Sequence, residues 1–315
     1  MWQRRCKVPA ATLFKYLKDI GDGSIAKETP DCSVTKYLHD PTKHLISTTD
    51  FFYPLVEDPY MQGRIACCNT LSDIYAMGID RVDHMLMILG VSLQMQEEQR
   101  EIVTREMIRG FNDCATEAKT IITGGQSIMN PWPIIGGVAN VVCDENEYTL
   151  PRNGQEGDVI VLTKPLGTQV AVNLNEWRLK PGNERWQKSK QFVTEQEAIN
   201  AYQLSMESMA HLNINSAKLM KKYKCHGATD ITGFGLLGHA QNLATAQLLQ
   251  GYSAETSGGI FCMLDKNLAK DFMKEHKEVY GQDCWEVGQV VKGSKKATIR
   301  EDIDIIQIKE SFIRD

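Results

Sequence analysis

Apolar residues recur along the first half of the chain with two periods, two and about 3.6 residues, which predict strands and helices respectively. Asp58 stands where it can cap a helix whose first residue is Pro59, and Gly78 follows as a stop signal. The pattern predicts a helix at residues 10–20, a turn-rich loop through residue 31, strands at 44–52, 82–91, 120–123 and 134–143, and helices at 59–77 and 94–119.

A polar, glycine-rich stretch at residues 151–158 precedes a new set of elements, so we predict a domain boundary between residues 150 and 151. Strands are predicted at 159–162, 260–264 and 285–291, helices at 168–177, 194–223 and 266–276, a polar stretch at 178–191 and a glycine-rich stretch at 227–238 with a short helix behind it. Interleaved strands and helices predict an α/β or α+β fold, with domains at 44–150 and 151–315 after a segment of residues 1–43.

Composition narrows the class of protein. The chain has 315 residues and a formal net charge of −5 without a long basic run, which argues against a nucleic-acid surface. Its apolar runs are far shorter than the roughly 20 residues that span a bilayer, and the N-terminus lacks the apolar core of a signal peptide. Nine cysteines without a CxxC pair favour a reducing compartment. We therefore expect a cytoplasmic protein with neither nucleic acid nor membrane as a partner.

Four aspartates stand beside small or hydroxyl residues, at Asp31, Asp50, Asp73 and Asp230. Mg²⁺ uses a few carboxylate oxygens and completes its coordination with water and substrate phosphates, so dispersed aspartates suit a metal–nucleotide site. Helix caps and turns also explain such aspartates. Asp50 is the most informative, because it follows a predicted strand end, where α/β enzymes place ligands.

Two glycine-containing segments follow predicted strands. Gly124, Gly125, Gln126 and Ser127 could let backbone N–H groups approach a phosphate. They match neither a Walker A loop nor the dinucleotide fingerprint, which favours a turn. Residues 164–168 offer the same alternatives, and the threonine at the predicted helix start favours a turn.

The N-terminal segment carries Cys6 next to Lys7. An adjacent ammonium can lower the pKa of a thiol, and a lysine on a mobile arm can reach phosphates. An ordinary exposed terminus is the alternative. His211, His226 and His239 show no metal-binding spacing, which favours core or surface roles.

Taken together, these segments resemble the selenophosphate synthetase (selenide, water dikinase) family, within the wider group that includes aminoimidazole ribonucleotide synthetase. The chain looks like the type 1 animal members, which carry Arg in place of Cys or selenocysteine. The matching runs are residues 48–54, 58–66, 69–78, 123–127, 162–172 and 226–235.

The resemblance implies a two-domain α/β synthetase fold whose N-terminal domain forms a dimeric β-barrel flanked by helices, with residues 1–43 as a flexible segment that contacts ATP. The implied reaction converts ATP, selenide and water to selenophosphate, AMP and orthophosphate. The implied partners are ATP, selenide and a second copy of the chain, or a paralogue in a heterodimer.

The resemblance also implies roles for single residues. Mg²⁺ would be held by Asp31, Asp73 and Asp230. The nucleotide would be contacted by Lys7, Asp31, Asp50, Gly124, Gly125, Gln126 and Ser127. Cys6 and Lys7 would be the catalytic residues.

Three departures from the family pattern bear on function. Arg4 occupies the position where active members carry Cys or selenocysteine, and a guanidinium has no soft donor for selenium. Residues 28–30 replace a glycine-rich strand, and a strand and helices are missing between residues 243 and 253. The alternative function is therefore an altered paralogue that binds ATP and Mg²⁺ or a partner subunit and acts in regulation or redox homeostasis without making selenophosphate.

Overall fold

The computed structural model of the protein describes residue 16 and residues 32–233, 254–293, 297–300 and 302–313. Four residues singled out above, Arg4, Cys6, Lys7 and Asp31, lie outside this range, as do His239 and the stretch from 243 to 253. Of the helix predicted at residues 10–20, only Tyr16 is described, and it is helical.

The first half of the chain folds into a five-stranded sheet with two long helices. Its elements are β1 (Ser33–Lys36), β2 (Lys43–Phe52), α1 (Pro59–Ala76), β3 (His84–Ser92), α2 (Glu97–Glu117), β4 (Ile122–Asn130) and β5 (Ile134–Asp144). The strand order is β1-β2-β5-β3-β4. All neighbours are antiparallel except β3 and β4, which run parallel. By this strand order, β1 and β4 are the two edge strands.

Two glycines let α1 and α2 cross closely. A β-carbon at Gly63 would lie 2.0 Å from the carbonyl oxygen of Met107, and one at Gly110 would lie 1.9 Å from that of Tyr60. The α1 helix begins at Pro59, and the Asp58 side chain accepts a hydrogen bond from the N–H of Met61. The capping predicted from the sequence is thus confirmed.

The second half forms a four-stranded antiparallel sheet with helices around it. Its elements are β6 (Val159–Leu162), α3 (Thr168–Leu179), α4 (Glu184–Ser189), α5 (Glu195–Ala210), α6 (Ile214–Lys222), β7 (Gly227–Asp230), β8 (Ile260–Leu264), α7 (Lys266–Tyr280) and β9 (Trp285–Gln289). The strand order is β7-β8-β6-β9.

The helix α1 lies at the centre of the molecule. Fourteen of its 18 residues are buried, because it packs against α2, β2 and β5 on one side and against α5, α6 and β7 on the other. One cluster of buried apolar side chains therefore runs through both halves. Among the described residues, no helix is long and apolar enough to cross a membrane.

The predicted α/β class is confirmed, and four element predictions are wrong. The glycine-rich stretch predicted at 227–238 begins with the strand β7. The strand predicted at 120–123 extends to Asn130, so the glycine segment lies within β4 rather than in a turn. The helix predicted at 194–223 breaks between α5 and α6, and the polar stretch 178–191 contains α4, whose N-terminus is capped by Asn183. The domain boundaries remain predictions.

Candidate active site at the central helix

Three of the predicted aspartates lie on α1 or contact it. Asp50 lies near the end of β2, Asp73 lies on α1 itself and Asp230 is the last residue of β7. Residues three and four apart share a helix face, and Asn69, Ser72 and Asp73 have this spacing. Asn69 and Ser72 contact the other two aspartates, so α1 joins carboxylates from both halves of the chain.

Asp50 is held by an amide. Asn69 Nδ2 donates a hydrogen bond to Asp50 Oδ2 at 2.9 Å, and Asn69 Oδ1 accepts one from the backbone N–H of Ser257 at 2.8 Å. The two contacts fix which end of the amide faces the carboxylate. Asp50 remains half-buried, so a ligand can reach it.

Asp73 is buried and accepts a hydrogen bond from a neighbouring strand. Thr48 Oγ1 donates to Asp73 Oδ2 at 2.5 Å. Thr48 precedes Asp50 by two positions on β2, and alternate strand residues face the same side of a sheet. Asp50 and Asp73 therefore face the same region between β2 and α1.

Asp230 is 1% exposed and joins the second half of the chain to α1. Its Oδ2 accepts hydrogen bonds from Ser72 Oγ at 2.6 Å and from Thr232 Oγ1 at 2.8 Å. The Ser72 hydroxyl in turn accepts one from Asn213 Nδ2 at 3.0 Å. Hydroxyl and amide donors orient a carboxylate without adding a positive charge beside it.

A buried lysine lies behind the aspartates. Lys164 is 1% exposed, and its Nζ donates to the carbonyl oxygens of His211 at 2.7 Å and Ser257 at 2.8 Å. Burial lowers the pKa of Lys164 to about 8, while the thiol of Cys68 and the carboxylate of Asp230 act to raise it. With a pKa of about 8, most of this amine is protonated near pH 7, and its charge interacts with that of Asp230.

The predicted glycine segment lies on a different part of the sheet. The segment is exposed on β4 and comprises Gly124, Gly125, Gln126 and Ser127. Gly125 has φ +150° and lies close to β3, so that a β-carbon there would be 1.9 Å from the carbonyl oxygen of Met87. Three strand spacings separate β4 from β2, about 14 Å. Within one chain, this segment does not join the aspartates around α1.

Sequence reasoning did not single out three residues that hydrogen-bond to the aspartates or to their partners: Asn69, Asn213 and Ser257. A detectable signal was the run of polar residues at 69, 70, 72 and 73 within an otherwise apolar, buried helix. Buried polar groups are expensive unless they are hydrogen-bonded, so this run points to partners in space.

The predicted metal site combines described and undescribed residues. Among the described ones, no three His, Cys, Asp or Glu side chains are grouped so that they could hold a metal ion. Asp31, which the resemblance adds to Asp73 and Asp230, lies outside them. The three-aspartate metal site therefore stays a prediction.

Two family models match the chain in the order of its two halves. The N-terminal domain of AIR synthase related proteins matches residues 29–141, and the C-terminal domain of the same group matches residues 155–251.

Solved structures share the fold at low sequence identity. Thiamine monophosphate kinase from Aquifex aeolicus superposes with a TM-score of 0.64 at 16% identity, covering 90% of this chain and 94% of that one. The hydrogenase maturation protein HypE in complex with ATP gives a TM-score of 0.56 at 15% identity, covering 88% and 85%. These similarities establish a shared two-domain synthetase architecture.

Curated relatives are far more similar in sequence. Selenide, water dikinase 2 from Homo sapiens is 50% identical, over 85% of this chain and 67% of the relative. Selenide, water dikinase 3 from Danio rerio is 43% identical over 96% and 83%, and selenide, water dikinase from Dictyostelium discoideum is 44% identical over 96% and 89%. With this identity over nearly its whole length, and with both synthetase domains matched in order, the chain belongs to the selenide, water dikinase (selenophosphate synthetase) family.

Proposed function

We propose that this protein is an ATP-dependent phosphotransferase that converts ATP, selenide and water to selenophosphate, AMP and orthophosphate. The relatives that support this reaction are themselves named selenide, water dikinase. The structural observation that carries it is a set of three aspartates around α1. Asn69 and Ser72 of α1 donate to Asp50 of β2 and Asp230 of β7, and Thr48 of β2 donates to Asp73 of α1. Phosphoryl transfer depends mainly on positioning and charge neutralisation, which a site of this kind supplies.

The carboxylates fit Mg²⁺ as a cofactor. Asp73 and Asp230 are buried oxygen donors oriented by hydroxyl groups, and Mg²⁺ needs only one or two carboxylates when phosphates and water complete its coordination. We propose that Asp73 and Asp230 hold the ion together with Asp31. When bound, Mg²⁺ would neutralise charge on the phosphate oxygens.

Other roles follow from the family resemblance. Asp50, at the half-buried end of β2, would contact the nucleotide near the metal. Lys7 would add positive charge at the phosphates, and Cys6 would act in the chemical step. Gly124, Gly125, Gln126 and Ser127 lie about 14 Å from β2 by strand count, so they would contact the nucleotide away from its metal-bound phosphates or act from a second copy of the chain.

We further propose that the protein forms a homodimer through its first sheet. The strand β4 ends that sheet and is exposed along nearly its whole length. Large apolar side chains are exposed on or next to the same sheet, at Phe51, Tyr53, Ile128, Met129 and Trp132. Tyr53 and Trp132 also contact each other edge to face, and exposed apolar groups in contact with each other are typical of an interaction surface.

The proposed reaction is tested by nucleotide chromatography. The purified chain, incubated with ATP, Mg²⁺ and selenide, should form AMP, and omission of either Mg²⁺ or selenide should abolish its formation. AMP that accumulates equally without selenide would overturn selenide as the acceptor. Binding of ATP without any turnover would instead favour the alternative of a paralogue that retains the nucleotide site alone.

A further inference from the structure

The backbone of residues 255–258 connects several buried groups around the aspartates. Glu255 accepts hydrogen bonds from the N–H groups of Gly167 and Thr168, each at 2.8 Å, which anchors this segment to the start of α3. Ser257 is 1% exposed and adopts φ +45°, a conformation unfavourable for a residue other than glycine. We call residues 255–258 the anchor segment.

The anchor segment reaches the first half of the chain through α1. The N–H of Ser257 donates to Asn69 Oδ1 at 2.8 Å, and the same amide holds Asp50 through its Nδ2. One residue later, the carbonyl oxygen of Gly258 accepts from Asn213 Nδ2 at 2.8 Å. Two adjacent residues of this segment therefore fix two side-chain amides, one on α1 and one that contacts α1.

Asn213 carries the second connection to an aspartate. Its Nδ2 lies within hydrogen-bonding distance of Ser72 Oγ at 3.0 Å, and Ser72 donates to Asp230 at 2.6 Å. The backbone thus leads to Asp50 through Asn69 and to Asp230 through Asn213 and Ser72. A shift of the anchor segment would therefore displace the hydrogen-bond donors of both carboxylates.

Lys164 donates a hydrogen bond to the backbone in each of these two connections. Its ammonium donates to the carbonyl of Ser257, whose own N–H contacts Asn69, and to the carbonyl of His211, two residues before Asn213. One side chain thereby ties both connections together. Burial of an ammonium is costly in free energy, and an apolar side chain would fill the same space without that cost.

We propose that Lys164 is a positioning residue for the metal–nucleotide site, acting through Ser257 and Asn69 on Asp50 and through His211 and Asn213 on Asp230. This inference rests on the proposed function, because it assigns the purpose of the aspartates to Mg·ATP. It adds that affinity for Mg·ATP depends on a side chain that contacts neither the metal nor the nucleotide.

The inference is tested by a double-mutant cycle on the full chain, with calorimetric binding of a non-hydrolysable ATP analogue in the presence of Mg²⁺. Lys164→Met removes the ammonium, and Asn69→Ala removes both the donor to Asp50 and the acceptor for the Ser257 N–H. Each single variant should weaken binding about tenfold, the effect of losing one hydrogen bond to a charged group. Because both substitutions act on the same contact, the loss of affinity in the double variant should be smaller than the product of the two single losses, by a factor of at least about three.

Val141→Ala serves as the stability-matched control. Val141 is buried in β5 opposite Ile46, so its truncation should lower the melting temperature and leave analogue affinity unchanged. If Lys164→Met fails to fold, Lys164→Gln replaces it in the same cycle, because the glutamine amide can still donate to one of the two carbonyl oxygens. Unchanged affinity in folded Lys164 variants, or fully additive losses in the cycle, would overturn the inference while the proposed function stands. Absence of analogue binding by the unsubstituted chain would overturn the proposed function itself.

Discussion

Asp73 lies on α1, and Asp50 of β2 and Asp230 of β7 contact the same helix. Each aspartate accepts a hydrogen bond from an uncharged donor: Asn69 for Asp50, Thr48 for Asp73, and Ser72 and Thr232 for Asp230. These donors fix the direction of the carboxylate oxygens and bring no positive charge of their own. At the scale of single residues, the three carboxylates keep their negative charge, which the buried Lys164 offsets in part near Asp230.

Substitution of Asp73 by asparagine tests this arrangement. The Asp73→Asn variant keeps a carbonyl oxygen for Thr48 but loses the charge, so binding of an ATP analogue should lose its dependence on Mg²⁺ and weaken at least about tenfold. Calorimetric titration with and without Mg²⁺ measures both effects.

Asp58→Asn provides a matched control on the same helix. Asp58 caps the N-terminus of α1, and asparagine caps helices about as well, so affinity should stay unchanged. Unchanged affinity in the Asp73→Asn variant as well would remove Asp73 from the proposed metal site.

His211 makes a second prediction at this scale. Burial and the neighbouring Lys164 lower the pKa of His211 to about 3, whereas a histidine in the unfolded chain titrates near 6.5. The unfolded chain therefore takes up the proton first, and stability falls as pH decreases below about 6.5. Urea unfolding from pH 7 to 5 should show this loss, and the loss should be smaller in His211→Gln. An equal pH dependence of stability in the unsubstituted protein and the His211→Gln variant would contradict the assignment of this loss to His211.

The sequence drew attention to the three aspartates but not to most of the residues that hydrogen-bond around them. Asp50, Asp73 and Asp230 lie within segments that match the family, whereas Asn213 and Ser72 are 141 positions apart and Ser257 and Asn69 are 188 apart. No local pattern encodes such pairs, because their geometry depends on how the two halves pack. Cys6, Lys7 and Asp31 stay predictions from the resemblance.

At the scale of elements, several of the observed helices and strands differ from those predicted, because contacts between distant parts of the chain set their ends. The helix predicted at 194–223 breaks near His211 and Asn213, where the carbonyl of His211 accepts from Lys164 and the Asn213 side chain contacts Ser72 and Gly258. The exposed edge strand β4 lacks the apolar alternation of a half-buried strand, which is why only its start was predicted. The buried strands at 44–52, 134–143 and 159–162 were predicted to within one residue at either end.

The crossing of α1 and α2 gives a test at this scale. Gly110→Ala improves helix propensity by up to about 1 kcal/mol, yet its β-carbon would lie 1.9 Å from the carbonyl oxygen of Tyr60. Overpacking should outweigh propensity and lower the free energy of unfolding by about 1–3 kcal/mol. Denaturant unfolding measures the change.

Asn112→Ala on the exposed face of α2 is the control for that variant. It introduces the same residue into the same helix without a close contact, so stability should change by no more than about 0.5 kcal/mol. A Gly110→Ala variant as stable as the unsubstituted protein would show that the helices can separate without cost.

At the scale of the whole molecule, the first sheet predicts self-association. Ile128→Asp places a charge on the exposed strand β4, where Ile128 is 52% exposed, and should shift the protein from dimer to monomer in light scattering coupled to size exclusion. Ile102→Asp changes a similarly exposed isoleucine on α2 and should leave the dimer intact. A monomeric unsubstituted chain, or a dimer that survives Ile128→Asp, would contradict an interface on β4.

Arg4 separates the proposed reaction from its alternative. The residues proposed to hold ATP and Mg²⁺ do not include position 4, where this chain carries a guanidinium in place of the soft nucleophile of Cys or selenocysteine. Nucleotide binding alone therefore cannot distinguish a synthetase from a paralogue that retains the fold. The products must be observed.

Phosphorus NMR of the full chain with ATP, Mg²⁺ and selenide tests the central claim most directly, run beside the Arg4→Cys variant. The account predicts that the unsubstituted protein yields selenophosphate together with AMP and orthophosphate, and that Arg4→Cys yields at least as much. Selenophosphate from neither protein, or from Arg4→Cys alone, would contradict the proposed activity of this chain.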